Sequence, residues 1–271
     1  MVPILRQASA GRFGLIGFVV QGWEDARAYV EAGSKVDTPI ILQAGPACLQ
    51  HTPLKVISKM FTLLADMSKS QVVLHLDHAT DIDNCKAALD EGFTSVMFDG
   101  SRLSLKENIQ QTLKVTKLAE SYKASVEAEL GYVGYKNPKQ NNPTLPEEVV
   151  IFTTETNIDT LAVSVGNTHL QEKKKATIDY LSLKKINYLT DIPLTVHGAS
   201  GIRTEDRKKM AKFFGVKKFN LGTELRKSFG EVLRKELKKN RIVFDRLILL
   251  KEYEKQLKKK ATKVLRQLRN P

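Results

Sequence analysis

Three of the chain's five histidines stand where apolar, strand-like runs end. Val72–Leu76 runs into Asp77-His78, Leu161–Val165 into Gly166-Asn167-Thr168-His169, and Leu194-Thr195-Val196 into His197. Ionisable groups are costly inside a doubly buried strand and natural at its C-terminal rim, where barrel and doubly wound enzymes place their chemistry. Three neutral imidazoles that leave a fourth position open suit a catalytic zinc, so His78, His169 and His197 are the candidate metal ligands. Glu129, near the end of the run Ser125–Leu130, is a candidate further carboxylate ligand or else a buried partner for a barrel-interior Lys or Arg. His75 points to the same side of its strand as Asp77 and is expected to support it. His51 sits in a loop and reads as structural.

A second group of residues suits an anion. His197-Gly198-Ala199-Ser200-Gly201 leads into a helix, and Asn220-Leu221-Gly222-Thr223 closes the last strand. Glycines admit a close approach of backbone N–H groups, Ser and Thr add hydroxyls, and a helix N-terminus favours negative charge. Phosphate sites after strands seven and eight recur in barrels. Gly198, Ser200, Asn220 and Thr223 are therefore candidate phosphate contacts. Lys173, four residues past His169, is a candidate cation for them, although Lys173-Lys174-Lys175 also reads as a solvated run.

Positioning these groups requires eight strands. Strand-like runs at Leu15–Val20, Pro39–Gln43, Val72–Asp77, Ser95–Phe98, Ser125–Leu130, Leu161–Val165, Leu194–His197 and Lys217–Asn220 alternate with helical patterns. Those patterns include Trp23–Ser34, Pro53–Met67, Asp83–Glu91, Leu105–Ser121, Pro146–Thr154 and Thr204–Phe213. Parallel pairing through right-handed crossovers follows. The count favours a (β/α)8 TIM barrel with extended C-terminal helices, and an open sheet is the alternative. The polar, Pro-containing stretch Gly131–Leu145 is expected to be a mobile lid. Residues 224–270 read as helical, and Leu250, Tyr253, Leu257, Ala261, Val264 and Leu268 form an apolar stripe to pack on the barrel or a sister subunit.

The 271 residues fit one barrel domain, 1–271, with 236–271 a basic helical extension. The net charge of +13 is uneven. Residues 1–202 hold 20 Lys and Arg against 22 Asp and Glu, whereas 203–271 hold 23 against 8. No aromatic platform accompanies that charge, so nucleic acid is not the expected partner. No run approaches the roughly 20 apolar residues of a membrane helix, and no secretory leader is legible at the N-terminus. Two cysteines, Cys48 and Cys85, imply no disulfide framework and fit a reducing cytoplasm.

Leu74–His78 (LHLDH), Phe98–Ser101 (FDGS), Val126–Gly131 (VEAELG), Thr168-His169, His197–Ile202 (HGASGI) and Asn220 with Thr223-Glu224-Leu225 resemble class II, zinc-dependent ketose-bisphosphate aldolases. This group contains the fructose- and tagatose-bisphosphate aldolases, and the likeness runs from about residue 12 to 235. The resemblance implies reversible cleavage of a phosphorylated ketose to dihydroxyacetone phosphate and an aldehyde, with Asp77 as the acid/base. It further implies zinc on the three histidines, phosphate contacts from Lys173, Gly198, Ser200, Asn220 and Thr223, a monovalent cation (Na+ or K+) near the phosphate, and a homodimer or homotetramer.

Four rim positions depart from the family pattern. Val19 stands where the family has Asn, Gly45 where it has Ser, and Leu170 where it has Gly after the zinc histidine. The lid lacks the family's glutamate, since Gly131–Leu145 contains no Asp or Glu. A missing general base typically costs about 10²–10⁴-fold. The expectations are therefore an aldolase for a phosphorylated ketose or, alternatively, a weakened or non-catalytic relative that binds phosphosugar or polyanion.

Overall fold

The computed structural model describes residues 1–269. Its strands are β1 (Leu15–Val19), β2 (Ile40–Ala44), β3 (Val72–Ala79), β4 (Ser95–Phe98), β5 (Ser125–Leu130), β6 (Thr160–Val163), β7 (Leu194–Val196) and β8 (Val216–Leu221). Each pairs in parallel with the next, and β8 pairs with β1, closing a (β/α)8 TIM barrel. Helices lie between the strands, as the alternating sequence pattern requires.

Strand alternation sorts the barrel into two very different faces. Outward residues such as Phe18, Leu42, Leu74, Val96, Val126, Leu161, Val196 and Phe219 join the helices in one apolar cluster. The inward face is apolar at the bottom, where Leu15, Ile41 and Val73 meet Met1, Ile4, Leu5 and Ala8 of an N-terminal helix, Val2–Ala10. That helix plugs the barrel floor, and its short apolar stretch gave no clear helical signal in the sequence. Above the plug the lumen is polar, with Gln43, His75, Ser95, Glu127, Thr195 and Lys218 all fully buried.

Gly17 makes room for this interior. A Cβ there would stand 2.0 Å from Gln43 Oε1 and 2.6 Å from Asn220 Oδ1. The missing side chain lets two neighbouring strands point amides inward together.

The C-terminal region is two helices, Thr223–Lys239 and Arg246–Arg269, not one continuous helical run. Asn240–Asp245 separates them. The second carries the expected stripe inward, with Tyr253, Leu257, Ala261, Val264, Leu265 and Leu268 buried and Leu250 packed alongside. It lies chiefly on helix Trp23–Val36, held by an Arg27–Glu254 ion pair and a bond from the Tyr253 hydroxyl to Asp25. The stripe thus covers the barrel's own helices. No helix among the described residues is long and apolar enough to cross a membrane.

Candidate active site

Simple alternation along β3 would put Asp77 inside the barrel and turn His78 outward. The backbone intervenes. His78 adopts a left-handed φ of +56°, and the β3–β4 register shifts between Leu76 and Ala79. This kink swings the imidazole over the rim, so adjacent residues both face the cleft. His169 follows β6 on a loop, and His197 follows β7 directly. Gly198, at φ +61°, lets these two loops close up, since a Cβ there would lie 2.2 Å from the Thr168 carbonyl.

The three imidazoles converge. Ring centroids are 4.6 Å apart for His78–His197, 5.0 Å for His78–His169 and 5.5 Å for His169–His197. One nitrogen from each falls within 4.8 Å of the others. His78 Nδ1 lies 2.7 Å from Asp99 Oδ2, and His197 Nε2 lies 2.8 Å from Glu127 Oε1. Each carboxylate accepts an N–H and so fixes a tautomer, leaving lone pairs on His78 Nε2 and His197 Nδ1. Those two nitrogens face each other at 2.8 Å. Two lone pairs at that distance repel unless a proton is shared between them, and with His169 the three converging imidazoles are the donor type that a divalent metal takes.

The electrostatics agree. Burial alone would lower His78, but the charge of Asp77 and the bond to Asp99 outweigh it and raise the group to about 10. Burial and the charge on His78 hold His169 and His197 well below the ordinary range. Burial also opposes ionisation of Asp99, yet bonds from His78 and Ser101 hold it below the usual carboxylate value.

Glu129 stands on the other side of His78. It groups with His78 and Asp99 within 4.8 Å rather than with His169 and His197. Its Oε1 accepts from the Val133 amide at 3.1 Å, and burial, reinforced by the charge of Asp99, pushes it up to about 8. The buried-partner role open to Glu129 from sequence belongs to Glu127, whose Oε2 takes Lys218 Nζ at 2.7 Å. The one signal for Glu127 in the sequence is its two-residue spacing from Glu129, which puts both on the inward face.

Asp77 is held on one side only. Oδ1 accepts from Gln43 Nε2 at 2.9 Å and from Asn220 Nδ2 at 3.3 Å. Oδ2 lies over Gly45, 3.7 Å from where a Cβ would be, and borders a cleft of about 400 Å³. His75 does not hydrogen-bond Asp77; it joins Ser95 at 2.7 Å and Lys218 at 3.2 Å. His51 lies outside the cleft, its Nδ1 2.8 Å from the Thr52 hydroxyl.

Gly198, Ser200, Asn220 and Thr223 all line the cleft beside the histidines. The Ser200 hydroxyl accepts from the Glu224 amide at 3.0 Å. Lys173 is the exception: it is exposed and does not border the cleft. The run of three lysines turns outward, and Arg226 supplies the cleft's cation instead. It lies one turn into helix Thr223–Lys239, with Nη2 3.4 Å from the Thr223 hydroxyl and no carboxylate partner among the described residues.

The expected mobile lid is a folded excursion tied to the end of β6. Tyr132 and Asn142 exchange backbone bonds of 2.7 and 2.8 Å. His169 and Lys136 bond across to each other's strands through Gly134 O at 2.8 Å and His169 O at 2.9 Å. Asn141 Nδ2 donates to Asn167 O at 2.8 Å. Tyr135 stacks on His169 with centroids 4.7 Å apart and borders the cleft, a position its sequence context did not signal. Leu170 also borders the cleft and keeps a φ of +58°, the left-handed conformation that glycine adopts without cost.

Three imidazoles and a carboxylate at the C-terminal rim of a closed barrel define a barrel enzyme arranged for metal-assisted chemistry. The chain matches the family described as Fructose-bisphosphate aldolase class-II over residues 1–270. It is 32% identical over 258 residues to a 6-phospho-5-dehydro-2-deoxy-D-gluconate aldolase of Shouchella clausii, covering 93% of this chain and 88% of that one. It is likewise 32% identical over 252 residues to a fructose-bisphosphate aldolase of Geobacillus stearothermophilus, covering 90% and 88%. The crystal structure of the YdjI aldolase from Escherichia coli K12 superposes with a TM-score of 0.86 at 25% identity, over 99% of this chain and 96% of that one. The chain belongs to the class II fructose-bisphosphate aldolase family, a generally zinc-dependent group of carbon–carbon lyases.

Proposed function

We propose that the protein cleaves and forms a phosphorylated ketose by zinc-dependent aldol chemistry, with dihydroxyacetone phosphate as one product. The observation that carries this reading is the half-held Asp77. Two amides fix one oxygen, and the other faces the cleft beside three converging imidazoles.

His78, His169 and His197 would hold the metal, with Glu129 next to His78 as a further carboxylate. When bound, the metal supplies a Lewis acid for the ketone and hydroxyl oxygens and stabilises the enediolate charge. Asp77 Oδ2 takes the proton from the hydroxyl whose carbon becomes the aldehyde, and the carbon–carbon electron pair passes to the ketone half. The carbon released there takes a proton from water, the lid holding no Asp or Glu, and the synthetic direction reverses each transfer. Gln43 and Asn220 keep that carboxylate oriented. The backbone at Gly198, the hydroxyls of Ser200 and Thr223, the Asn220 amide and the Arg226 guanidinium hold the phosphate end. A Na+ or K+ ion near that phosphate, and assembly as a homodimer or homotetramer, belong to the same reading.

Relatives named for fructose bisphosphate and for 6-phospho-5-dehydro-2-deoxy-D-gluconate match about equally, so both substrates enter the test. With zinc supplied, several ketose mono- and bisphosphates and that gluconate are offered and triose phosphate is measured. Release from one of them, abolished by a chelator and restored by zinc, is the expected result. The second reading, a weakened phosphosugar-binding relative, draws on Leu170 at the phosphate end and the acid-free lid. It prevails if the zinc-loaded protein binds these compounds yet neither cleaves them nor exchanges protons of dihydroxyacetone phosphate.

A further inference from the structure

Part of the basic balance of the C-terminal third lines a groove away from the cleft. Helix Arg246–Arg269 forms one bank, and Lys35 and Lys208 approach from helices Trp23–Val36 and Thr204–Phe213. Lys255, Lys259, Lys263 and Arg266 follow at intervals of four, four and three, a single stripe about 16 Å long at the helical rise. No Asp or Glu borders the groove, which encloses about 660 Å³ and shares no residue with the cleft.

The stripe residues Lys255, Lys259, Lys263 and Arg266 are exposed, and what sets most of the groove's cations apart from other lysines on these helices is the lack of an acidic partner. Lys260, on the same helix, is 3.2 Å from Glu231, and Lys258 at the groove's edge pairs with Glu31. Within the groove Lys255 reaches Glu252 at 3.7 Å, outside the lining. Among the described residues, Lys35, Lys208, Lys259, Lys263 and Arg266 have no carboxylate within 4.0 Å. Like charges four apart on one helix repel, and a concave wall with cations on both banks concentrates the field.

We propose that this groove is a binding site for a short linear polyphosphate. Several phosphates on one flexible chain match a row of cations with facing partners, and the enclosed volume falls in the range of small-ligand sites. The groove lining carries no aromatic residue on which a base could stack, so recognition is by charge rather than by base.

The probe is tripolyphosphate, titrated into the full-length protein by calorimetry at 50 and 200 mM salt. The expected result is saturable binding that weakens steeply with salt and a raised melting temperature that sulfate at equal ionic strength does not match. Lys259→Ala/Lys263→Ala/Arg266→Ala should lower the affinity at least tenfold and retain the unliganded fold by circular dichroism. Lys106→Ala, an exposed lysine elsewhere, should leave the affinity unchanged. The site is overturned if tripolyphosphate does not bind at 50 mM salt, or binds the triple variant equally well. A single-stranded RNA oligonucleotide that binds more tightly than tripolyphosphate and depends on the same three residues overturns the polyphosphate assignment. Catalytic turnover is not a readout here, so the outcome is independent of the aldolase reading.

Discussion

Glu127 and Lys218 meet at 2.7 Å in the barrel lumen, and neither side chain has any exposed surface. Glu127 spends its other oxygen on His197, so an ion pair under the cleft sets the orientation of a rim imidazole. Lys218→Met leaves that carboxylate buried without its cation and is expected to cost about 3–5 kcal/mol in urea unfolding. Metal affinity should fall about 10–100-fold as the His197 tautomer loosens. Adding Glu127→Gln to Lys218→Met should restore more than half of the stability. A double variant as unstable as the single one would place the loss elsewhere.

His78 gives a proton count. Its folded-state value of about 10 lies above the ordinary imidazole value, so without metal it carries a proton at neutral pH. A divalent ion that took His78 Nε2 as a ligand would displace that proton. Zinc binding between pH 7 and 9 should therefore release about one proton, and affinity should rise roughly tenfold per pH unit until the pH passes the His78 value. Calorimetry in buffers of differing ionisation enthalpy measures the release. Zinc uptake with no proton released would mean that His78 is already neutral without metal at these pH values.

Asp77→Asn keeps an acceptor for Gln43 and Asn220 while removing the base. Cleavage should drop about 10²–10⁴-fold, with zinc content by elemental analysis unchanged and KM little altered. Parental turnover in this variant would move the proton transfer to another group.

Leu170 holds a left-handed backbone that costs a branched side chain about 1 kcal/mol. Glycine relieves it but adds about 0.5–1 kcal/mol of unfolded-chain entropy. Leu170→Gly should therefore shift stability by less than about 1 kcal/mol while exposing the backbone N–H groups at the phosphate end. Inorganic phosphate should then inhibit cleavage at several-fold lower concentration than in the parent. An unchanged inhibition constant would mean that the leucine does not shield the phosphate site.

Strands were legible where their outward face was continuously apolar. Ser95–Phe98 and Ser125–Leu130 match residue for residue, and the other six differ only at their ends. The three histidines and Asp77 were visible because charge after an apolar run is conspicuous. Glu127 was not, because a fully buried carboxylate reveals its purpose only through Lys218, a partner 91 positions along the chain. Lys173 lies off the cleft and Arg226 on it for a related reason. Both follow a candidate site residue closely, and only the path of the loop after His169 turns one outward and the helix at Thr223 turns the other in. The break at Asn240–Asp245 was masked by a basic composition that suits helix on either side.

The twisted backbone at His78 has a consequence for anyone who selects this protein for heat tolerance. Glycine there would relax the chain yet leave Asp99 without its partner, and at Leu170 the gain and the entropy cost nearly cancel, so a screen that reads melting alone does little to guard the rim. Selections should hold zinc retention fixed alongside temperature, because at His78 the conformation that weakens the fold is the one that brings the imidazole to its partners.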